Sequence, residues 1–568
     1  MNVAVERDPH PSVLQTAQAT VENEIGGRPP VQVWGTRGMV VAMHPAAAQI
    51  GSDVLASGGN AFDAGVAVSA ALAVLSPDWA GVAGDIAWLT YSHERGDFAH
   101  LDGYSTCPRA IDATRLARRF GIATDAPSRA LREEPPGQRC IGAATSMVPG
   151  TPATWDTLSR TRCSMKLATL LRPAIELAQR GFAVNRYLAG SFRLSRDKVL
   201  AHAATREIYC SEGDRIPEEG DRLIQRELAD TLSLIADRGI AEFYTGEIAQ
   251  RIADCSRADG GAISTDDLRA YRPVSRTPLR AAYRNHKVVT SGSPTGGLHL
   301  LQALSVIEGF DLGSLDYHSA RSLHILIEAT KQALADRRRR GGDPDQVPHI
   351  EEDGLDPDRI ATMRAAIQPE ESLAVAGLAS VGGSTTHFVI RDASGNIVSA
   401  TQSLGSRFGC GQVVEGTGLI MNDRTWWMSL REGPNVVAPG RRANIGHAPL
   451  MVCRHDRPIA ALGSPGGFGI VQYLVQVLVN MLDYGFDVQT AIEAPRFRLE
   501  GEARRVWIEA RIDPAVRDEL RRLGHEIVDH PAWTDRLGGV EGLYVHESSG
   551  TVLGGYDPRR NSFAVGLH

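Results

Sequence analysis

The strongest constraint in the sequence is a change of pattern at one peptide bond. From Asp343 to Gly382 the composition runs to Pro, Asp, Glu and Gly, and it ends in the small residues Ser380-Val-Gly-Gly-Ser384, the makeup of a mobile connector. Directly after Thr385 the period becomes two: Thr386-His387-Phe388-Val389-Ile390-Arg391, a turn at Asp392-Ala-Ser-Gly395, then Asn396 to Gln402. A β-hairpin is predicted to begin where the connector stops.

Chemistry has a use for a threonine at that junction. A hydroxyl is a weak nucleophile at neutral pH, and a residue whose own α-amine is free carries its base with it. The α-amine's ordinary pKa of about 7.7–8.0 suits it to take and return a proton. Such a residue is made by cutting the chain. The Thr385 hydroxyl can attack the Ser384 carbonyl, shift the acyl group from nitrogen to oxygen, and release the ester to water. Gly382, Gly383 and Ser384 leave room for the close geometry this needs. Alone the motif is weak, because threonines at the start of a strand are ordinary β-formers.

A formal charge of −7 and a pI near 6.2 give no global attraction to phosphate backbones or anionic membranes, so neither nucleic acid nor membrane is expected as a partner. Seven scattered cysteines without close pairs read as reduced thiols. The N-terminus has no basic segment followed by an apolar run, which points to a cytoplasmic protein. Residues 1–36 are expected as a flexible leader. Apolar spacing predicts a helix over Ala46 to Ser57 stopped at Gly58-Gly59, a helix capped by Asn60 that includes the buried run Gly65 to Leu75, and an apolar helix over Ile470 to Leu482. Residues 151–317 read as mostly helical, including Pro173 to Gly181. A further amphipathic helix carries Leu323 to Leu334 and leads into Arg337 to Arg340, expected as a solvated helix end.

Taken together, the chain resembles the γ-glutamyltranspeptidase family from about Gly38 to Asp557. The likeness is carried by His44-Pro45, Gly58-Gly-Asn-Ala-Phe-Asp63, Val148-Pro-Gly-Thr151, Gly181-Phe-Ala-Val-Asn185, Phe243-Tyr-Thr-Gly246, Thr385-Thr-His387, Gly463-Ser-Pro-Gly-Gly467, Asp483-Tyr-Gly485, Ala494-Pro-Arg-Phe497 and Asp557-Pro558. The resemblance implies an α/β fold of four layers, the αββα sandwich of N-terminal-nucleophile hydrolases. It also implies a precursor split into a large segment, 37–384, and a small one, 385–568, each the other's partner, with a homodimer of such pairs as a further assembly.

By the same resemblance Thr385 is nucleophile and base, and Ser403 assists it, with Thr401 on the same strand face as a supporting candidate. Gly466 and Gly467 form an oxyanion hole, which their place ahead of the Ile470 to Leu482 helix supports independently. No metal or other cofactor is implied. His387 reads as a packing or hydrogen-bonding residue and Cys410 as structural, while Asp78 and Asp85 are weak metal candidates.

The departures concern the substrate. Tyr104 stands where the family's carboxylate-pairing arginine is expected; Gly405, Arg424 and Trp427 stand at the amine-gripping positions, and Ile445 and Gly446 replace a serine pair. Arg424, with Arg407 or Arg442, could hold a carboxylate in a fork, and Trp426, Trp427 and Tyr104 would narrow and dry the pocket. For Arg407 and Arg442 the competing expectation is a surface residue with a local carboxylate partner. A small-molecule substrate with a compact anionic acyl group, oxamate-, glutaryl- or oxalyl-like, is therefore expected. The alternatives are a glutathione hydrolase, a carbon–carbon bond hydrolase of an alkylproline pathway, and a non-catalytic scaffold.

Overall fold

A computed structural model describes residues 31–121, 141–374, 384–430, 433–501 and 504–568. Cys140 and the stretch 375–383 ahead of the hairpin lie outside the described residues. The elements that concern the site are the helices α1 (Ala61–Leu75) and α2 (Ile470–Leu482) and the strands β1 (Asp85–Ser92), β2 (Ser384–Arg391), β3 (Ile397–Gly405) and β4 (Arg457–Gly463).

Two seven-stranded sheets lie face to face. The first runs in the order Phe563–Leu567, Gly38–Ala42, β2, β3, β1, Asp97–Gly103, Val274–Arg276. The second runs Val33–Gly35, Val552–Gly555, Glu541–Val545, β4, Leu450–Arg454, His286–Thr290, Leu279–Tyr283. Helices cover both outer faces, which makes the four-layer αββα sandwich.

Side-chain alternation along the predicted hairpin explains the layering. Phe388, Ile390, Val398 and Ala400 point to one face and pack against α1 and its neighbours. Val389 and Ile397 point to the other, where Met451, Ala461, Leu543 and Val552 of the second sheet meet them. Leu450, Val452, Ala460 and Leu462 use the far face of that sheet to bury α2. A strand covered on both faces needs apolar residues at both parities, and every residue of β3 is buried.

Helix α1 begins with a capping box. Asn60 accepts from Phe62 and Asp63, and Asp63 accepts from Asn60. Asp392, in the hairpin turn, accepts from the Ala61 N–H at 2.9 Å, which fixes the hairpin to the start of the helix. All fifteen residues of α1 are buried, as the Gly65 to Leu75 run predicts. Gly58 takes the left-handed conformation after the preceding helix, Pro45–Ala56.

Several expectations are corrected. The leader does not extend to residue 36, because Val33–Gly35 pairs with Val552–Gly555 at a sheet edge. The helix ending at Gly181 starts at Leu167 and carries Pro173 within it. The mostly helical region is interrupted after Ala270: Val274–Arg276, Leu279–Tyr283 and His286–Thr290 are strands that terminate both sheets, and helix resumes at Gly297–Ile307. The first part of the connector is structured, with helices Ile350–Gly354 and Pro357–Ala365, because Ile360 and Met363 join the core beneath the second sheet. Arg337 is not a solvated helix end: it is buried, bonds Asn444 and lies 4.2 Å over the Phe468 ring, while Arg338 to Arg340 are exposed. Among the described residues no helix is long and apolar enough to cross a membrane.

Burial holds six histidines among the described residues well below their ordinary pKa: His44 and His100 at about 4, His299 and His387 at about 3, His525 at about 2, and His447 in the same direction. Unfolding frees them to bind protons near pH 6.5, so the stability they confer is present above that value and lost as pH falls toward their folded values. Carboxyls raised by burial, Asp78 and Asp85 to about 6 and Asp343, Glu351, Asp483, Glu493 and Glu541 in the same direction, act in the opposite sense and offset part of this loss. The melting temperature is therefore expected to fall by several degrees between pH 7 and pH 5; a calorimetric Tm that is level or rises over that interval contradicts this account.

Candidate active site

The site forms where the hairpin is irregular. Ser384 pairs with Gly405 and Thr386 with Gln402, so β3 carries one extra residue opposite Thr385. A bulge of this kind bends the strand and re-aims a side chain. Its result is a short chain of hydrogen bonds. The Thr385 Oγ1 hydroxyl donates to Ser403 Oγ at 3.3 Å, Ser403 Oγ donates to the Ser384 carbonyl at 2.6 Å, and the Gly405 N–H donates to Ser403 Oγ at 3.0 Å. The carbonyl that Thr385 would attack is thus the one that Ser403 polarises.

Thr401 lies elsewhere in the network. Its hydroxyl bonds His387 Nδ1 at 2.8 Å, while Ser399, bonded to the Leu462 carbonyl at 3.0 Å, approaches His387 Nε2 at 3.4 Å. It supports His387 and makes no hydrogen bond to Thr385. His387 itself packs on Gly463 of β4, where a Cβ would overlap the imidazole. Burial keeps that ring neutral, which agrees with a packing and hydrogen-bonding residue rather than a base.

Gly463 leads to Gly466 and Gly467, whose φ values of +126° and +62° favour glycine. Gly466 caps and Gly467 opens a short turn, Gly467–Gly469, that leads into α2, as predicted. Their N–H groups lie at the positive end of a thirteen-residue helix, which favours negative charge. Gly446 sits against them, with no room for a side chain because a Cβ would meet the Gly467 carbonyl oxygen.

The opposite wall comes from β1 and the turn Arg424–Trp427. Asp85 pairs in register with Ser403 and receives Arg424 Nη2 at 2.5 Å. The expected carboxylate fork of Arg424 is corrected accordingly, since that end of the guanidinium already holds a carboxylate. Burial raises Asp85 to about 6 against the pull of Arg424. The Arg424 guanidinium lies 5.4 Å from the Trp427 ring centre, and Trp427 meets Phe468 edge-on at 5.0 Å. Tyr104 is buried, with its ring 5.4 Å from that of His447.

Gly405 has φ +110°, and a Cβ there would overlap Asp423 Oδ1 and approach the Trp427 indole. Asp423 is occupied in turn by the Ser406 N–H and hydroxyl, and Lys198 pins this loop through Ser406 Oγ and the carbonyls of Arg407 and Gly409. Arg442 lies in a cluster with Asp102 and Asp345, its N–H bonded to Asp343; it has the expected local carboxylate partners but is buried rather than on the surface. Arg407 is half-buried, in the field of Asp78. Burial pushes the Cys410 thiol up to about 11, which suits a structural residue. His447, Asp85 in its pairing role and Lys198 were not found from sequence; each depends on partners 208 or more positions away, or on a ring contact that no spacing announces.

Two facing sheets between helical layers, with a nucleophile-type hydroxyl at the head of a central strand, define the class of N-terminal-nucleophile hydrolases. A family model described as gamma-glutamyltranspeptidase matches residues 47–567, and the chain belongs to that family. It is 34% identical over 535 residues to "Acylase ACY 1 proenzyme" of Pseudomonas sp. (strain SE83), covering 92% of each chain. It is 31% identical to "Glutathione hydrolase-like YwrD proenzyme" of Bacillus subtilis (strain 168), covering 94% of this chain and 99% of that one. Among solved structures, cephalosporin acylase from Bacillus halodurans superposes with a TM-score of 0.86 at 28% identity over the whole of both chains.

Because the His387 ring fills the space above Gly463, Gly463→Ala is expected to displace it, break the bond to Thr401 and destabilise the protein by about 1–3 kcal/mol. Chemical denaturation measures this; an unchanged midpoint shows that the strand yields and that the contact constrains nothing.

Proposed function

We propose that the chain is a self-cleaving threonine hydrolase, cut between Ser384 and Thr385, that removes a small anionic acyl group other than γ-glutamyl from an amide. The observation that carries the substrate class is steric. At Gly405 and Gly446, two positions where the family would anchor a glutamyl group, a side chain has no room. Tyr104 cannot pair a carboxylate as an arginine would, Arg424 is committed to Asp85, and Trp427 brings an apolar ring. A zwitterion placed here would leave its ammonium unpaired in a dry site, and loss of such pairing discriminates by as much as about 10⁴-fold.

The chemistry follows the hydrogen bonds. In processing, Thr385 Oγ1 attacks the Ser384 carbonyl carbon, its proton passing to Ser403 Oγ while the Ser403 proton moves to the carbonyl oxygen. The C–N bond then breaks, the nitrogen takes a proton, and an ester links Ser384 to the Thr385 side chain. Water cleaves the ester, leaving a carboxylate on Ser384 and a free amine on Thr385. In turnover that amine takes the hydroxyl proton as Thr385 attacks the substrate acyl carbon, then gives it to the departing amine. Water releases the acyl group as an acid. The N–H groups of Gly466 and Gly467 stabilise the negative oxygen, a contribution of about 10²–10³ in rate for one donor.

Two outcomes are expected. Thr385→Ala stays a single 61.2 kDa chain by intact mass, and Ser403→Ala cleaves about 10²-fold more slowly; a Thr385→Ala protein that splits at the same bond disproves the nucleophile. On anilides, γ-glutamyl substrate is expected to show kcat/KM at least about 10²-fold below the best of a glutaryl, succinyl and oxalyl series. Comparable γ-glutamyl turnover makes the protein a glutathione hydrolase instead.

A further inference from the structure

Lys198 is a buried lysine without a carboxylate. It lies on the helix Arg196–Leu200 of the large segment, and among the described residues it forms no ion pair. Its ammonium donates instead to Ser406 Oγ at 3.1 Å, the Arg407 carbonyl at 3.1 Å and the Gly409 carbonyl at 2.7 Å. All three donors of the group go to one loop, the one that leaves β3. A lysine is almost never buried unless it is paired, so one kept here without a carboxylate points to a task in that loop.

The loop needs an outside hold. Gly405, Phe408, Gly409 and Gly411 have φ of +110°, +56°, +50° and +78°, and the strand ends at Gly405. Phe408 is fastened by its N–H on the Asp78 carbonyl at 2.9 Å and by its ring, 4.8 Å from that of Phe192. Ser406 is fastened by Asp423 Oδ1, which takes its N–H at 2.9 Å, and by Lys198, which ties it to the carbonyls beyond. Between Ser406 and the ladder stands Gly405. A glycine in the left-handed region turns readily unless both its neighbours are fixed. On the strand side, the pairing of Ser403 with Asp85 does this; on the loop side, Asp423 and Lys198 do.

The direction of the Gly405 N–H matters to the nucleophile. It donates to Ser403 Oγ at 3.0 Å, and with that lone pair taken the Ser403 hydroxyl points at the Ser384 carbonyl, 2.6 Å away. An N–H that turns aside frees Ser403 to rotate, and a hydroxyl out of line no longer relays the proton. We propose that Lys198 is a positioning residue for Ser403. By holding Ser406, Arg407 and Gly409 it keeps the Gly405 N–H on Ser403 Oγ, and it thereby sets the rate of chain scission and of turnover. This rests on the hydrolase reading above and adds that the large segment aligns a hydroxyl it does not carry. Lys198 itself makes no hydrogen bond to Thr385 or Ser403.

The test follows precursor made in a pulse of cell-free synthesis and then chased, the cut being read by gel and intact mass. Scission within one chain is first-order, so its rate constant reports the folded molecules whatever fraction has folded. Lys198→Met, which keeps the length and drops the ammonium, is expected to cut about tenfold more slowly than wild type. Lys198→Arg, which keeps the charge, is expected to recover most of that rate. Once cut, Lys198→Met is expected to show kcat about tenfold lower on the best anilide of the series above, with KM within about twofold of wild type. A merely structural lysine would lower the melting temperature and leave both rates per folded molecule unchanged. If Lys198→Met does not fold, Ser406→Ala removes one of the three acceptors and carries the test, with about a threefold loss expected in both rates. Wild-type rates of cutting and turnover in folded Lys198→Met, or in Ser406→Ala where it stands in, overturn the proposal. A wild-type precursor that never cuts removes the hydrolase reading instead.

Discussion

The structure depends on a hairpin that is buried on both faces and still carries hydroxyls. Water cannot serve β2 and β3, so each polar group there must find its partner inside the protein. Phe388, Ile390, Val398 and Ala400 solve this on the helix side by being apolar, while Gln402 takes the Ser69 hydroxyl at 2.7 Å. On the inter-sheet side the face divides. Val389 and Ile397 continue the apolar seam, whereas two hydrogen-bonded groups lie at its end, Thr385 with Ser403 and His387 with Thr401 and Ser399. Satisfying Ser403 requires both the Gly405 N–H and the Ser384 carbonyl, and the bulge in β3 is what brings them into line. The reactive geometry is therefore a consequence of burial.

That same economy accounts for the shape of the pocket. Glycine at 405 lets Asp423 and Trp427 move in, and glycine at 446 lets the chain lie against Gly467. Each replacement that removes a polar anchor admits backbone or ring in its place. Asp85 is drawn into the same rearrangement: burial alone would leave its carboxyl reluctant to ionise, and Arg424 provides the compensating charge from a turn that follows β3 by about one loop. An Arg–Asp pair at this depth is costly to dissolve, because either charge left alone would be desolvated without a partner. It fixes the turn that carries Trp427 and thereby the wall of the site.

The central architecture could be read before the structure because it follows local rules. The period-two runs around Asp392-Ala-Ser-Gly395 gave the hairpin, Asn60 and Asp63 the start of α1, and the unbroken apolar run from Ile470 the helix behind Gly466 and Gly467. The errors share a different origin. Val33–Gly35 is too short and too mixed to announce a strand, and it is one only because Val552–Gly555 offers an edge. Arg337 resembles its three exposed neighbours until Phe468 and Asn444, from the small segment, close over it. Arg424 read as a free fork since nothing near it in sequence points to Asp85, 339 positions away. His447, whose neighbours in sequence do not mark it, is conspicuous only once Tyr104 stands against it with neither ring bonded. Pairings between distant segments are set by tertiary packing, and periodicity carries no trace of them.

The position proposed for cleavage also bears on how the chain could be severed without falling apart. β2 is flanked by Gly38–Ala42 and β3 by β1, so the hairpin of the small segment is held in the sheet by strands of the large segment on both sides. Asp392 adds a bond to the head of α1, and Asp85–Arg424 joins the two segments beside the site itself. These contacts do not involve the Ser384–Thr385 bond, so breaking it removes a covalent tie and leaves the ladder from Thr386 onward intact. The gain in freedom is confined to the carboxyl side, where the large segment ends. Thr385 stays at the edge of a strand anchored from Thr386 onward, and its new amine would arise within reach of the hydroxyl group already bonded to Ser403. A nucleophile made by cutting can be precise only if the cut lies where the sheet, rather than chain continuity, does the positioning.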